Sequence, residues 1–321
     1  MDKRNSILPD AKIKILAASV AAVVAAGLAA CAGSSATRGA DTTGIDWNKV
    51  TATKVVLFYP GKSSYEWLRD SAAHKGAASE TARGDSCVSC HDDAKEEQRQ
   101  GAKILKGNHP LEPIALPGKP GHVDVTIQAA YDDKNAYLRY QWKGNNNIEY
   151  PYYRYDGKEW KVYGGPRLDK PVQEGKQPAI YETRMSLMLD DGKVPLFKEQ
   201  GCWLTCHEGE RDLNPATKED VAADPLLKAI KKSDVRKYLP SSRNNPSDWK
   251  SGKSLDEIAR IKAAGGFVDL IQWRGHRTNP VGGTDDGYVL EYRNFDSGKN
   301  HFASNLDSAT KQPKFMFDAG K

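Results

Sequence analysis

The stretch 122–142, HVDVTIQAAYDDKNAYLRYQW, decides how the chain folds. Val123, Val125, Ile127 and Ala129 alternate with polar neighbours, Asp132, Asp133, Lys134 and Asn135 supply turn chemistry, and Ala136, Leu138, Tyr140 and Trp142 resume the alternation. A period of two broken by a short polar segment is the signature of a β-hairpin. Further strands are predicted at 54–59, 152–155, 160–163, 184–189, 268–273 and 288–292. Strands without interleaved helices predict a mainly β fold, a β-sandwich. Two helices interrupt its later part. Asp224 can cap a helix with Pro225 at its first position, and Ser254 with Glu257 forms a capping box for a run ending near Ala264, before Gly265 and Gly266.

Upstream of the hairpin the pattern is different. Residues 63–100 are polar and poor in β-branched side chains, which predicts short helices in a small N-terminal lobe. Earlier still, Lys3, Arg4, Lys12 and Lys14 lead into an uncharged run of 16 residues from Ile15 to Ala30, the pattern of an export signal. A membrane-spanning helix needs about 20 apolar residues, so this Ala-rich run is short for a span. It ends Leu28-Ala29-Ala30-Cys31, which resembles the lipobox of bacterial lipoproteins, where the Cys is acylated and becomes the new N-terminus. The alternative is an uncleaved helix with an accidental Cys. Ala32 stands where an Asp would mark inner-membrane retention, so lipid attachment to the outer membrane is expected. The expected organisation is a signal peptide (1–30), a lipidated tether (31–50), a first lobe (51–115) and a sandwich domain with an insertion (116–321).

The formal charge of the chain is +5, and removal of the signal takes away four basic and two acidic residues, leaving about +3. The remaining basic residues are scattered, which excludes an electrostatic footprint for nucleic acid.

Once Cys31 is assigned to lipid, four of the five cysteines remain, in two local pairs each followed by His. Cys87-Val88-Ser89-Cys90-His91 is the c-type haem attachment pattern, in which two thiols add to the vinyl groups and the imidazole binds iron. Cys202-Trp203-Leu204-Thr205-Cys206-His207 has three residues between its thiols instead of two, but keeps the His. Two covalently bound haems c are therefore expected, the second on an insertion beside the sandwich. Four thiols could instead hold zinc, form disulfides or make a redox dithiol. Disulfides leave the two trailing histidines unexplained, a four-Cys zinc site does not need them, and export to the compartment where haem is attached favours haem.

These residues resemble the haem-binding domain shared by the ethylbenzene dehydrogenase and dimethyl sulfide dehydrogenase haem subunits, in its c-type cytochrome branch. The carriers are Tyr65-Glu66-Trp67-Leu68 before His74; 125–131 with 137–142; Glu182-Thr183-Arg184 into Met188 and Asp190-Asp191-Gly192; and Gln272-Trp273-Arg274 with Arg277-Thr278-Asn279-Pro280, Asp285-Asp286 and Arg293. The resemblance implies a β-sandwich holding haem at one end and electron transfer for periplasmic respiratory enzymes. Those enzyme subunits bind a single non-covalent haem b, whereas this sequence has thiol attachment sites, so their Met and Lys ligands do not carry over automatically.

A haem with His on one side needs a second ligand for pure electron transfer, and an open position for small-molecule chemistry. The candidates are His74, His109, His122, His276, His301, Met185, Met188 and Met316. His74 lies only a short segment before Cys87, and a position there in the related cytochromes looks like a ligand, which favours His74 for the first haem. His276 follows the predicted strand end and is favoured for the second, with Met188 next. Arg184, Arg274 and Arg277 could pair with haem propionates, and Trp203 could pack on a haem edge, although each is equally consistent with an ordinary surface or core position.

The expected function is electron transfer between respiratory redox proteins, such as a quinol dehydrogenase, a cytochrome or a molybdenum enzyme. The alternatives are a haem reductase or oxidase with one open coordination site, and a zinc-stabilised ligand-binding sandwich. The lipid assignment has its own test. Cys31→Ser is expected to abolish incorporation of labelled fatty acid and to shift the protein from the membrane to the soluble fraction; retained label would count against Cys31.

Overall fold

Asp132 builds the hairpin turn: its Oδ1 accepts the backbone N–H groups of Lys134 (2.8 Å) and Asn135 (2.7 Å). In the computed structural model the described residues are 43–58, 64–70, 72–74, 76–106, 121–143, 153–162, 174–177, 182–207, 216–232, 235–296 and 304–315. Cys31, His109, His301 and Met316 lie outside them. Residues 1–46 and 47–321 are separate compact units, and the elements below belong to the second.

The described strands form three antiparallel sheets. β1 (Ala52–Phe58), β2 (His122–Tyr131) and β3 (Ala136–Trp142) pair in that order. β4 (Tyr153–Tyr155) pairs with β5 (Trp160–Val162). β6 (Arg184–Leu189), β7 (Val268–Arg274), β8 (Asp285–Val289) and β9 (Arg293–Phe295) make the third sheet. The helices are α1 (Tyr65–Asp70), α2 (Ala78–Arg83), α3 (Ala94–Lys106), α4 (Phe197–Gln200), α5 (Lys218–Ala223), α6 (Pro225–Ala229) and α7 (Leu255–Ala263). Among the described residues no helix is long and apolar enough to cross a membrane.

The expected caps are present. Asp224 Oδ1 accepts the Leu227 N–H at 2.9 Å, with Pro225 opening α6. Ser254 and Glu257 close a reciprocal capping box on α7. Each cap satisfies backbone donors that the first helical turn leaves without partners.

The mainly β expectation holds in part: the sheets are present, but the fold is mixed α and β rather than clearly mainly β, and the reason lies in what covers the third sheet. Its buried residues Val268, Leu270, Tyr288 and Val289 pack with Leu226 of α6, Ile258 of α7, Tyr65 of α1 and Leu204. Helices and irregular segments, rather than a facing sheet alone, thus remove this apolar surface from water. The first and third sheets touch through Trp142 and Trp273, edge to face with ring centroids 6.0 Å apart.

Two local departures have clear causes. The hairpin was expected to bury one face, yet Gln128 of the polar face is buried while Ala129 is exposed. The turn at 47–50 covers that face with carbonyls, and Gln128 Nε2 donates to Trp47 O (2.7 Å) and Val50 O (2.8 Å). The strand expected at 288–292 runs instead over 285–289 and is followed by β9. Gly287 permits this register, because a Cβ there would meet Asn294 O at 2.3 Å.

Asp285 also explains its own place in a strand. It pairs with Arg274 at 2.8 Å, and both side chains are buried. Removing one partner of a buried pair strands the other charge, at a cost of about 3–5 kcal/mol. Asp285→Ala is therefore expected to lower the urea midpoint of the purified protein strongly. An apolar replacement of both partners, Arg274→Met with Asp285→Leu, should recover most of the loss. Equal destabilisation by the single and double variants would refute the stranded-charge explanation.

Candidate haem-attachment segments

Each Cys-His segment follows a short helix, and the two helices lean on each other. α2 ends at Gly84, whose φ of +87° lets its N–H reach the carbonyls of Glu80 and Thr81. A Cβ on Gly84 would come within 2.6 Å of Leu196 Cδ2, so the end of α2 is pressed against the residue that opens α4. Gln200, at the end of α4, donates from Nε2 to Thr81 O at 2.8 Å. The approach to Cys87 and the approach to Cys202 are thereby packed side by side.

The first segment lies at the surface. Cys87–Ser89 forms a 3-10 turn, and the N–H of His91 returns to Cys87 O at 3.0 Å. Val88 is 64% exposed, Ser89 and Cys90 are also exposed, and Cys87 is half-buried, which raises its thiol pKa. Nδ1 of His91 is buried and makes no hydrogen bond. His74 stacks on Trp67 at 5.4 Å, and its Nδ1 lies 2.9 Å from Leu68 O. A carbonyl only accepts, so Nδ1 carries the proton and Nε2 keeps the lone pair. That is the tautomer a metal requires.

The second segment is anchored in the core. Gly201–Thr205 is a 3-10 turn whose Leu204 and Thr205 are fully buried, while Cys202 remains exposed and Cys206 half-buried. The additional residue between the thiols thus lets the loop drop two side chains inward and still return to the surface. Cys206 bridges to Lys237, and the N–H of His207 donates to Arg236 O at 3.0 Å. Lys237 Nζ lies 2.8 Å from Cys206 Sγ.

His207 has no solvent exposure. Its Nδ1 is 2.5 Å from Glu66 Oε1, and its ring stacks on Tyr238 at 3.5 Å and 9°. Tyr238 donates its hydroxyl to the same Glu66 oxygen at 3.2 Å and carries the Arg243 guanidinium over its ring at 4.0 Å. Burial lowers the His207 pKa, opposed by the hydrogen bond and charge of Glu66. Burial, and then the Glu66 charge, push the Tyr238 hydroxyl well above its ordinary value. A neutral ring donating Nδ1–H to Glu66 turns its Nε2 lone pair toward Leu204 O, 3.1 Å away. Two acceptors facing each other are unfavourable, and the 3.1 Å gap has no room for a metal ion, so iron would bind Nε2 only if the ring and Leu204 O moved apart.

Cys87, Cys90, Cys202 and Cys206 form no disulfide. Among the described residues the only convergent group of three His, Cys, Asp or Glu side chains is Asp269, Asp286 and Asp296, so the thiols share no common metal position. Thiols in pairs that form no disulfide, each pair followed by an imidazole, are a donor set that fits covalent haem.

The other residues singled out by sequence are divided between the two ends of the β6–β7 ladder. Met188 reaches the second segment, with its Sδ 3.9 Å from Thr205 Oγ1. His276 lies beyond the opposite end, where its N–H donates to Glu182 Oε2 at 3.0 Å. Met188 is four positions from the terminal Arg184–Arg274 pair, about 13 Å along a strand. Burial lowers the His276 pKa. Arg274 pairs with Asp285, and Arg277 donates to Glu182, with Arg184 also 3.9 Å from that carboxylate. His122 pairs with Phe58 across β1 and β2, and Met185 with Trp273. Trp203 is half-buried in the attachment turn.

Glu66 entered the sequence reading only within a family-like stretch, and Tyr238 and Arg243 had no role there. No local pattern links position 66 to position 207, since their contact spans 141 residues.

Two known proteins to which the chain is similar are cytochromes c. The chain is 30% identical over 292 residues to cytochrome c-552 of Stutzerimonas stutzeri, covering 90% of this chain and 74% of that protein. It is 28% identical over 226 residues to cytochrome c-551 of Rhodocyclus tenuis, covering 69% of this chain and 73% of that protein. No solved structure matches. The family model described as ethylbenzene dehydrogenase matches residues 44–321, which include both Cys-His segments and all three sheets, and the chain accordingly belongs to the ethylbenzene dehydrogenase family.

Proposed function

We propose that the chain is an exported cytochrome c that carries two covalently bound haems and passes electrons between respiratory redox proteins. The observation that carries this reading is the packing of two Cys-His segments, neither closed by a disulfide, through Thr81–Gln200 and Gly84–Leu196. Two one-electron centres on adjoining segments suit transfer within one chain. The names of the two relatives support the same reading.

In this reading Cys87 and Cys90 would attach the first haem, and His91 and His74 would be its ligands. The Nδ1–H bond of His74 to Leu68 O and its stacking on Trp67 orient that ring. Cys202 and Cys206 attach the second haem, with His207 as ligand. Met188 is the better sixth ligand for it, because its sulfur already approaches Thr205 within the attachment loop, whereas His276 stands at the far end of the ladder. Each bound iron supplies an Fe(III)/Fe(II) couple, and a Met ligand raises its potential relative to a second His.

Residues 51–115 are the first haem lobe in this scheme, and 116–321 the domain carrying the second. The sheets joined at Trp142 and Trp273 are the parts of its sandwich. Lipid on Cys31 holds the protein at the periplasmic side of the outer membrane, where a quinol dehydrogenase, another cytochrome or a molybdenum enzyme is the partner class.

Protein made in cells able to attach haem should contain two haems per chain, both low-spin and neither binding carbon monoxide when reduced. Absence of a Soret band would sink the proposal, and carbon monoxide binding at one haem would favour a small-molecule enzyme instead. His74→Ala is expected to turn the first haem high-spin, and Met188→Ala the second. His276→Ala should leave both spectra unchanged; loss of the second low-spin spectrum in that variant would transfer the ligand role to His276.

A further inference from the structure

We infer that the surface beside Cys202 and Cys206 is a docking site for a redox protein with an acidic rim, and that the surface around Cys87 and Cys90 repels the same partner. This rests on the dihaem reading above and deepens it by naming the charge of one partner. It does not depend on how iron is held at either segment.

Charge is divided unevenly between the two segments. Between 228 and 237 five residues are basic, Lys228, Lys231, Lys232, Arg236 and Lys237, against one acidic residue, Asp234. Between 80 and 99, around the first pair of cysteines, six are acidic and three basic. The fold sets the basic run beside the second pair. Cys206 bridges to Lys237, the His207 N–H donates to Arg236 O, and Lys237 Nζ lies 2.8 Å from Cys206 Sγ. Lys228, Lys231 and Arg236 are exposed, as is Cys202. At the first segment Asp85, Asp92 and Asp93 are exposed, whereas Arg83 pairs with Glu80 and Asp85, and Arg99 with Glu96.

Lys231 is kept against the preference of its backbone. It follows α6 at the position where helices commonly end on glycine: its φ is +56°, its N–H donates to Lys228 O at 3.1 Å, and the Lys232 N–H donates to Leu227 O at 3.0 Å. A left-handed conformation is unfavourable for an L side chain, and glycine adopts it without strain. An exposed lysine where glycine fits better points to a charge used outside the fold. Lys232, by contrast, lays its Nζ over the Tyr292 ring at 4.6 Å and is engaged within the molecule.

Rim charges of this kind steer encounter and select partners by sign. An acidic protein suits the turn better than a lipid surface does. None of the exposed large hydrophobic side chains among the described residues lies within 228–237, so the turn offers no apolar wedge for lipid.

The test is stopped-flow reduction of the holoprotein by a reduced plant-type ferredoxin, used as an acidic one-electron donor, after haems and their attachment sites have been determined by mass spectrometry. The second-order rate constant should fall about tenfold between low salt and physiological ionic strength. Lys228→Glu with Arg236→Glu should lower the low-salt value about tenfold and flatten its salt dependence. Lys95→Glu with Arg99→Glu makes the same change in net charge at the first segment, and should lower it by less than about twofold. Lys231→Gly should raise the urea midpoint while slowing reduction about threefold, a combination that general loosening does not produce. Absence of haem from Cys202 and Cys206 would defeat the dihaem reading and this inference with it. With both haems present, salt-independent reduction, or equal slowing by the two charge-reversal pairs, would overturn the inference alone. So would loss of binding to phosphatidylglycerol vesicles in Lys228→Glu with Arg236→Glu without any slowing of reduction by ferredoxin, which would assign the surface to lipid.

Discussion

The contact between Glu66 and His207 is the joint on which the arrangement depends. It ties α1 to the second attachment segment across 141 residues, and the neighbouring backbone repeats the tie: the Tyr65 N–H donates to Cys206 O at 2.5 Å. A fully buried imidazole is costly unless its polar atoms are satisfied, and Glu66 provides the acceptor that His207 needs. Because α1 leads directly to His74, and α2 to Cys87, fixing α1 also fixes the start of the first segment. A chain with one firm joint can therefore hold two attachment segments in register with each other.

The two segments use that support differently. Val88 and Ser89 ride on the surface, so the first attachment loop contributes little apolar burial of its own. Leu204 and Thr205 sit in the core, and Leu204 packs in the same cluster as Val268, Leu270 and Val289. Full burial of a Leu side chain contributes about 1.5–3 kcal/mol, which makes the second loop part of the fold rather than an appendage. The wider spacing between its thiols is the sequence trace of that difference. The helical cover over the third sheet follows from the same fact, since the loop and its flanking helices pack on that sheet's buried residues.

What could be read from sequence was what depends on neighbours along the chain. The 122–142 hairpin, the Asp132 turn, the Asp224 cap and the Ser254–Glu257 box are all written within a few residues, and each was legible. The burial of Gln128 was not, because the carbonyls of Trp47 and Val50 that demand its amide lie about eighty residues away. The register of β8 was hidden for a related reason. Asp285 and Asp286 look like loop residues until Arg274 supplies a partner for one and the missing side chain of Gly287 admits the Asn294 carbonyl. The paired cysteines of the two proposed attachment segments stand out because each pair lies within a few residues. Glu66 and Tyr238 were not legible, because a hydrogen bond to the ring needs proximity only in space.

The charges around the second segment show why this part of the molecule is rigid. Arg243 is 2% exposed and has no carboxylate hydrogen-bonded to it among the described contacts; its Nε donates to Trp249 O at 2.8 Å, and its terminal nitrogens to Ser242 Oγ at 2.8 Å and Glu291 O at 3.2 Å. The Trp249 and Glu291 carbonyls come from separate loops, so moving Arg243 would strand both at once. Burial lowers its pKa from an ordinary value so high that it remains a cation. Tyr238 is trapped between that cation and His207, since a ring centroid at 3.5 Å and a guanidinium at 4.0 Å cannot share one face. The result is a layered column of guanidinium, phenol and imidazole, closed at its side by Glu66. A column whose members are each fixed by another cannot reorganise piecemeal when a charge is added or removed beside it. That resistance to reorganisation is what a centre needs if it is to exchange electrons repeatedly without changing shape.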